Sequence, residues 1–162
     1  MANGNLTLVL DEADYRNMVG WLNNLSDVDQ TSVVNAALRG GMKTIIDEGR
    51  INLNARNNVK TGNLKKSFSI SVHKKKQNKA IRGFALGGFK LPQGAHAHLV
   101  DKGTAKRWTE KGYYRGSVSK DAPNKGSGFF SEAVESKGEE ALDKLINTVY
   151  EEILRITDRH QR

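Results

Sequence analysis

Phe68, Ile70 and Val72 alternate with Ser69, Ser71 and His73, and a period of two is the signature of a strand with one face buried. This segment constrains the fold more than any other. It follows a Thr61-Gly62-Asn63-Leu64 turn that is expected to open straight into the strand. Beyond it, Lys74, Lys75 and Lys76 lead into Gln77-Asn78-Lys79, a composition suited to a hairpin tip. AIRGFALGGF (80–89) then returns as the partner strand, with Phe68 and Phe84 expected in the core.

Helical patterning flanks this hairpin. NLTLVL (5–10) is a short strand candidate, after which Asp11 can cap a helix carrying Tyr15, Val19, Leu22 and Leu25, ending near Ser26. A second helix is expected from after Asp29 to about Leu53, with Val34, Ala37, Leu38, Gly41 and Ile45 on one stripe. Gly40-Gly41 inside it costs about 1 kcal/mol per glycine against alanine. The pair marks either a close approach of another helix or a break. Residues 54–63 are Asn-rich and predict a loop. HAHLVDKGT (96–104) is a short apolar element with a glycine stop, and 105–128 is a long basic loop without periodicity. From Phe129 a long helix follows, its apolar stripe formed by Leu142, Leu145, Ile146, Val149, Ile153 and Ile156. The expected fold is α+β, a single domain over 1–162. An antiparallel sheet from the middle of the chain is packed by N-terminal helices and a long C-terminal helix.

Charge is segregated within the overall +8. Residues 1–50 carry −3, residues 51–100 carry ten Lys or Arg and no acid, and residues 101–162 carry +1. A basic middle between acidic flanks implies a polyanion or an acidic protein surface as neighbour. The alternative is a solvated lysine-rich face. The chain has no cysteine, which excludes disulfide and thiolate chemistry. No stretch approaches the length of a membrane span or carries the pattern of a signal peptide, so a soluble protein with no membrane partner is expected.

Signatures of catalysis are missing. There is no phosphate-loop motif, Gly83…Gly87-Gly88 is wrongly spaced for a dinucleotide fingerprint, and no serine sits in a Gly-x-Ser-x-Gly elbow. His96 and His98 would share one side of a strand, with Asp101 as the sole nearby third ligand, an incomplete set for zinc. The chain is therefore expected to be no enzyme and to need no cofactor or metal. Two features favour binding instead. Lys74, Lys75, Lys76, Lys79 and Arg82 form a basic patch that could meet phosphates or a neighbouring subunit. Arg107, Trp108, Tyr113, Tyr114 and Arg115 are the residue types that anchor protein interfaces. Their loop either folds back over its own core or folds against a partner.

Three segments in order, KTGNLKKSFSISV (60–72), HAHLVDKGT (96–104) and GFFSEAVES (128–136), resemble the tail-component family of long-tailed bacteriophages, the neck (head–tail joining, tail completion) proteins. Thr61, Gly62, Leu64 and Ser67 match the first motif of that family. Ala97, Val100, Gly103 and Thr104 match the second, with Asp101 where glutamate is usual. Phe129 or Phe130 with Ala133 matches the third, with Gly128 in place of proline. Val59-Lys60 likewise stands where a proline is common. The resemblance implies a structural virion protein, present in several copies in a ring around the DNA channel. Its partners would be copies of itself, the neighbouring connector and tail proteins, and DNA by non-specific contact. It implies a place in the virion, with assembly in the host bacterial cytoplasm. Thr61, Gly62, Leu64, Gly103, Thr104, Phe129 and Phe130 are then expected to be fold determinants. The competing class is a non-specific nucleic-acid-binding protein free in the host cytoplasm.

Overall fold

The computed structural model describes residues 12–56, 61–77, 80–104, 107–116 and 126–160. The expected strand 5–10 and its neighbour Asp11, residues 57–60, Lys79 and the stretch 117–125 lie outside the described residues. The element order is α1 (Glu12–Asn23), α2 (Asp27–Ala55), α3 (Asn63–Ser67), β1 (Phe68–Gln77), β2 (Ala80–Phe89), α4 (Ala97–Lys102), β3 (Arg107–Trp108), β4 (Tyr114–Gly116) and α5 (Ser131–His160). This is an α+β chain with a long C-terminal helix, its strands forming two antiparallel pairs, β1–β2 and β3–β4. Its contacts gather into two compact units, each built from segments distant in sequence.

The first unit comprises residues 1–44, 70–86 and 138–162. Val33 and Ala37 of α2 meet Val149, Ile153 and Ile156 of α5, and Met18, Leu22, Leu25 and Leu145 pack around them. The helices approach closely because α2 carries Gly40 and Gly41. A Cβ on Gly41 would stand 2.6 Å from the Ala141 carbonyl oxygen, and one on Gly40 would stand 3.1 Å from the Thr148 hydroxyl. The glycine pair is thus a helix crossing, and α2 runs through it unbroken. On another side of α2, Val34 and Leu38 face the hairpin, 3.2 and 3.0 Å from where a Gly83 Cβ would stand, closer than an ordinary van der Waals contact.

Ser26 sets the start of α2 at Asp27, three residues earlier than the expected start after Asp29. Its hydroxyl accepts from the Asp29 amide at 3.2 Å and donates to the Asp29 carboxylate at 2.6 Å, an N-cap whose hydroxyl the acid three residues on holds in place. The Asp29 side chain is buried at this junction and also accepts from the Arg159 guanidinium at 2.8 Å, with His160 at 3.6 Å.

The second unit comprises residues 45–69 and 87–137. Phe129, Ile46 and Leu53 are its fully buried side chains, joined by Leu64, Phe68, Ala97 and Ala133. Phe68, Phe89, Phe129 and Phe130 form an aromatic cluster, with Phe68 and Phe89 centred 4.7 Å apart and Phe89 edge-on to Phe130 at 5.3 Å. Such ring pairs add about 0.5–1.5 kcal/mol each beyond the area they bury. Gly49 of α2 leaves room for Phe68 and Phe130, both within 3.3 Å of where its Cβ would be.

Four expectations are corrected by this structure. The Thr61-Gly62 turn does not run straight into a strand, because Asn63–Ser67 first makes a helical turn that buries Leu64 and Ser67. HAHLVDKGT is helical as α4, since Ala97 and Val100 are spaced by three and the Leu99 and Val100 amides both bond the His96 carbonyl. The 105–128 stretch contains the β3–β4 hairpin, too short to show periodicity. Lys74, Lys75 and Lys76 lie inside β1, which continues to Gln77, because cross-strand pairing with β2 satisfies the backbone whatever the side chains are.

Candidate interaction surface

The first candidate surface belongs to the hairpin of the first unit. Alternation puts Phe68, Ile70 and Val72 on one face of β1 and Ser71, His73 and Lys75 on the other. Lys74, Lys75 and Arg82 are exposed. Lys76 holds a β1 position by its backbone, and its side chain lies outside the described set. Phe84 corrects the sequence expectation, because it is 55% exposed rather than in the core. Gly83 is the position that faces α2, so its neighbour must point away. Phe84 stacks instead on His73 of the other strand, with ring centres 5.1 Å apart and planes 21° from parallel. Leu86, two positions further along, is equally exposed. The outer face of this hairpin therefore alternates cations with large apolar groups. Lysines alone did not signal it.

The second candidate surface is the β3–β4 hairpin of the second unit. Arg107 pairs with Gly116 and Trp108 with Tyr114, with a bulge between the two pairs. Thr109 closes the turn, since its amide donates to the Tyr113 carbonyl at 2.9 Å and its hydroxyl accepts from the Tyr113 amide at 3.0 Å. Gly112 takes the positive φ of 77° that the turn requires. Trp108 and Tyr113 are both mostly exposed. The hairpin carries Trp108 and Tyr113 outward and does not bury them in its own core. For Arg107, Tyr114 and Arg115 the backbone positions in β3 and β4 are described, and their side chains lie outside the described set.

The motif residues converge in the second unit. The Thr61 hydroxyl accepts from the Asn63 amide at 3.3 Å, and Gly62 sits at φ 75°, a conformation that a side chain strains. Gly103 ends α4 at φ 81°, and Thr104 follows half-buried. Asp101, weighed in the sequence as a metal ligand, has a different task. One of its carboxylate oxygens accepts from the Phe130 amide at 2.7 Å and the Ser131 amide at 3.2 Å, and the other accepts from the Ser131 hydroxyl. Its negative charge thereby meets the positive end of α5. The Val100 carbonyl accepts from the Ser127 amide at 2.9 Å, and the Asp101 carbonyl accepts from the Gly128 amide at 2.8 Å. From the α2 side, Asn52 donates to the Phe129 carbonyl at 3.2 Å and Arg56 pairs with Glu132.

His96 and His98 flank the start of α4 and are exposed, and residues two apart on a helix do not share a face. Among the described residues no three His, Asp or Glu side chains gather into a metal-binding group. None of the described helices is long and apolar enough to cross a membrane. The first unit also bears an apolar groove of about 280 Å³ lined by Trp21, Tyr150, Ile153, Leu154 and Thr157, which sequence reasoning did not anticipate. Compared with protein-family models, curated proteins and solved structures, the chain shows no match.

Proposed function

We propose that this chain is a structural protein of a bacteriophage neck, one of several copies that form or complete a ring around the DNA channel and join head to tail. The observation that carries this reading is the convergence of the three resembling segments. The Thr61-Gly62 turn, the α4–Gly103 element and the Phe129–Ala133 helix start contribute to one unit. The last two are bonded through Asp101, and the first delivers Leu64 and Phe68 to the same set of buried side chains as Phe129. Residues widely spaced in the chain but shared in one small core are what a family-specific fold needs. The exposed Trp108, Tyr113, Phe84 and Leu86 support the multi-copy part of the reading, since exposed aromatic and apolar groups mark surfaces that a partner covers.

The deciding experiment is electron microscopy of particles made when the gene is disrupted. DNA-filled heads and separate, unjoined tails are expected. Intact infectious virions would reject the neck role. A second reading, non-specific nucleic-acid binding, is favoured by the exposed Lys74, Lys75 and Arg82 beside the stacked His73 and Phe84. Under that reading the isolated protein binds duplex DNA, and each phosphate contact steepens the salt dependence of log K by about 0.9. A neck subunit needs little such affinity on its own.

A further inference from the structure

Within the first unit, two surfaces match each other in both shape and charge. One is a ridge. Arg82, Phe84 and Leu86 occupy alternate positions of β2 and so share a face, on which His73 braces the Phe84 ring. Lys75, two positions from His73, adds a second exposed cation. The other is the groove of about 280 Å³ between α1 and α5. Its walls are Trp21 and Tyr150, set edge to face with centres 5.4 Å apart, and Leu154, itself 66% exposed. Glu151 and Asp158 lie three residues before and four after Leu154 and are exposed, which puts both acids on the Leu154 side of α5.

We infer that Phe84 of one copy seats in the Trp21–Tyr150–Leu154 groove of a second copy, with Arg82 and Lys75 meeting Glu151 and Asp158. The volume admits the ring, since an apolar cavity of about 150 Å³ already holds benzene. Charge complementarity selects the occupant, because a basic-rimmed apolar ridge and an acid-rimmed apolar groove on one chain satisfy each other. DNA would use the two cations but leave Phe84, Leu86 and the groove in water. The hairpin packs on the Val34 and Leu38 side of α2, whereas α5 meets Val33 and Ala37. Ridge and groove therefore lie on different sides, so the contact is heterologous. Repeated head to tail, it closes into a ring or extends as a helix. The inference rests on the multi-copy neck reading and names its subunit contact.

The chain's lack of cysteine makes the test clean. Phe84→Cys and Leu154→Cys variants are purified separately and oxidised alone and as a mixture at high concentration. The expected result is a cross-linked dimer from the mixture and little from either variant alone, with a ladder of multimers from the double variant. In sedimentation velocity, Arg82→Glu is expected to weaken association about tenfold, and Glu151→Lys in the partner copy to restore it. Cross-linking of Phe84→Cys with itself, cross-linking no better than a Ser69→Cys control, or no cross-link at all would overturn the inference. None of these results bears on the neck role, which particle morphology decides separately. Infectious particles lacking the protein, together with a positive cross-link, would reject the role and keep the contact.

Discussion

The two units solve the same packing problem by opposite means. The first is built from regular helices whose aliphatic side chains interdigitate, and its special positions are glycines that let α2 and α5 approach. The second is built from short, irregular pieces around four phenylalanines, and its special positions are backbone caps and turns. In the helical unit, energy is spread along periodic stripes and single changes are diluted. In the aromatic unit it is concentrated, so a few residues decide whether the pieces come together. Most of the three segments on which the proposed neck role rests lies in the concentrated one.

The sharpest way to break this contrast is Phe129→Ala. The side chain has no exposure and touches Phe68 and Phe89, so a loss of about 3–5 kcal/mol is expected in urea denaturation. Ile156→Ala in the helical unit, also a truncation to alanine at a fully buried site, should cost only about 2 kcal/mol, the low end for such a change. Equal losses would dissolve the distinction. Next comes Gly41→Ala. Alanine favours a helix by about 1 kcal/mol, yet the Cβ meets the Ala141 carbonyl, and a net loss of about 1–3 kcal/mol is expected in thermal melts. Gly20→Ala, with nothing within 4 Å of the new carbon, is expected to stabilise by about 0.5–1 kcal/mol. The opposite signs of these two glycine changes are the test.

Asp101→Ala removes the acceptor for the first amides of α5 and is expected to cost about 0.5–2 kcal/mol by calorimetry. Asp101→Asn, which keeps one acceptor oxygen, should recover part of that loss. The smallest effect concerns pH. The Ser26 hydroxyl, opposed by burial and aided by the charges of Arg159 and His160, holds the Asp29 carboxyl below its ordinary value. A carboxylate with a lowered folded-state pKa gives stability that is present above the ordinary carboxylate range and is lost as pH falls through the lowered value. Acid denaturation curves of the wild type and of Asp29→Asn should therefore converge at the acid end and separate towards neutrality. Parallel curves would remove Asp29 from the account.

The sequence made the regular parts plain. The apolar stripe of α5 and both ends of β2 were legible because periodicity over many residues averages out local exceptions. The side that Phe84 faces was not, because in a strand the choice of face turns on a shift of one residue, and that depends on which side α2 covers. The α4 helix was hidden because six residues cannot separate a period of two from one of 3.6. Ser26-Asp27-Val28-Asp29 carried the capping signature outright, so the start of α2 was available. The roles of Asp101 and of the Trp21–Tyr150–Leu154 groove were not, since each depends on residues that only tertiary structure brings together.

A cap lent by a residue 29 positions away differs in timing from one supplied by a neighbour. Its donors and acceptor must first be brought together by closing the intervening loop, whose cost grows slowly with length but comes due before any bond forms. The opening turn of α5 therefore depends on the docking of α4 as well as on the helix it begins. In the native protein, the amide hydrogens of Phe130 and Ser131 should exchange in step with the 97–104 segment, and not with the helix they begin.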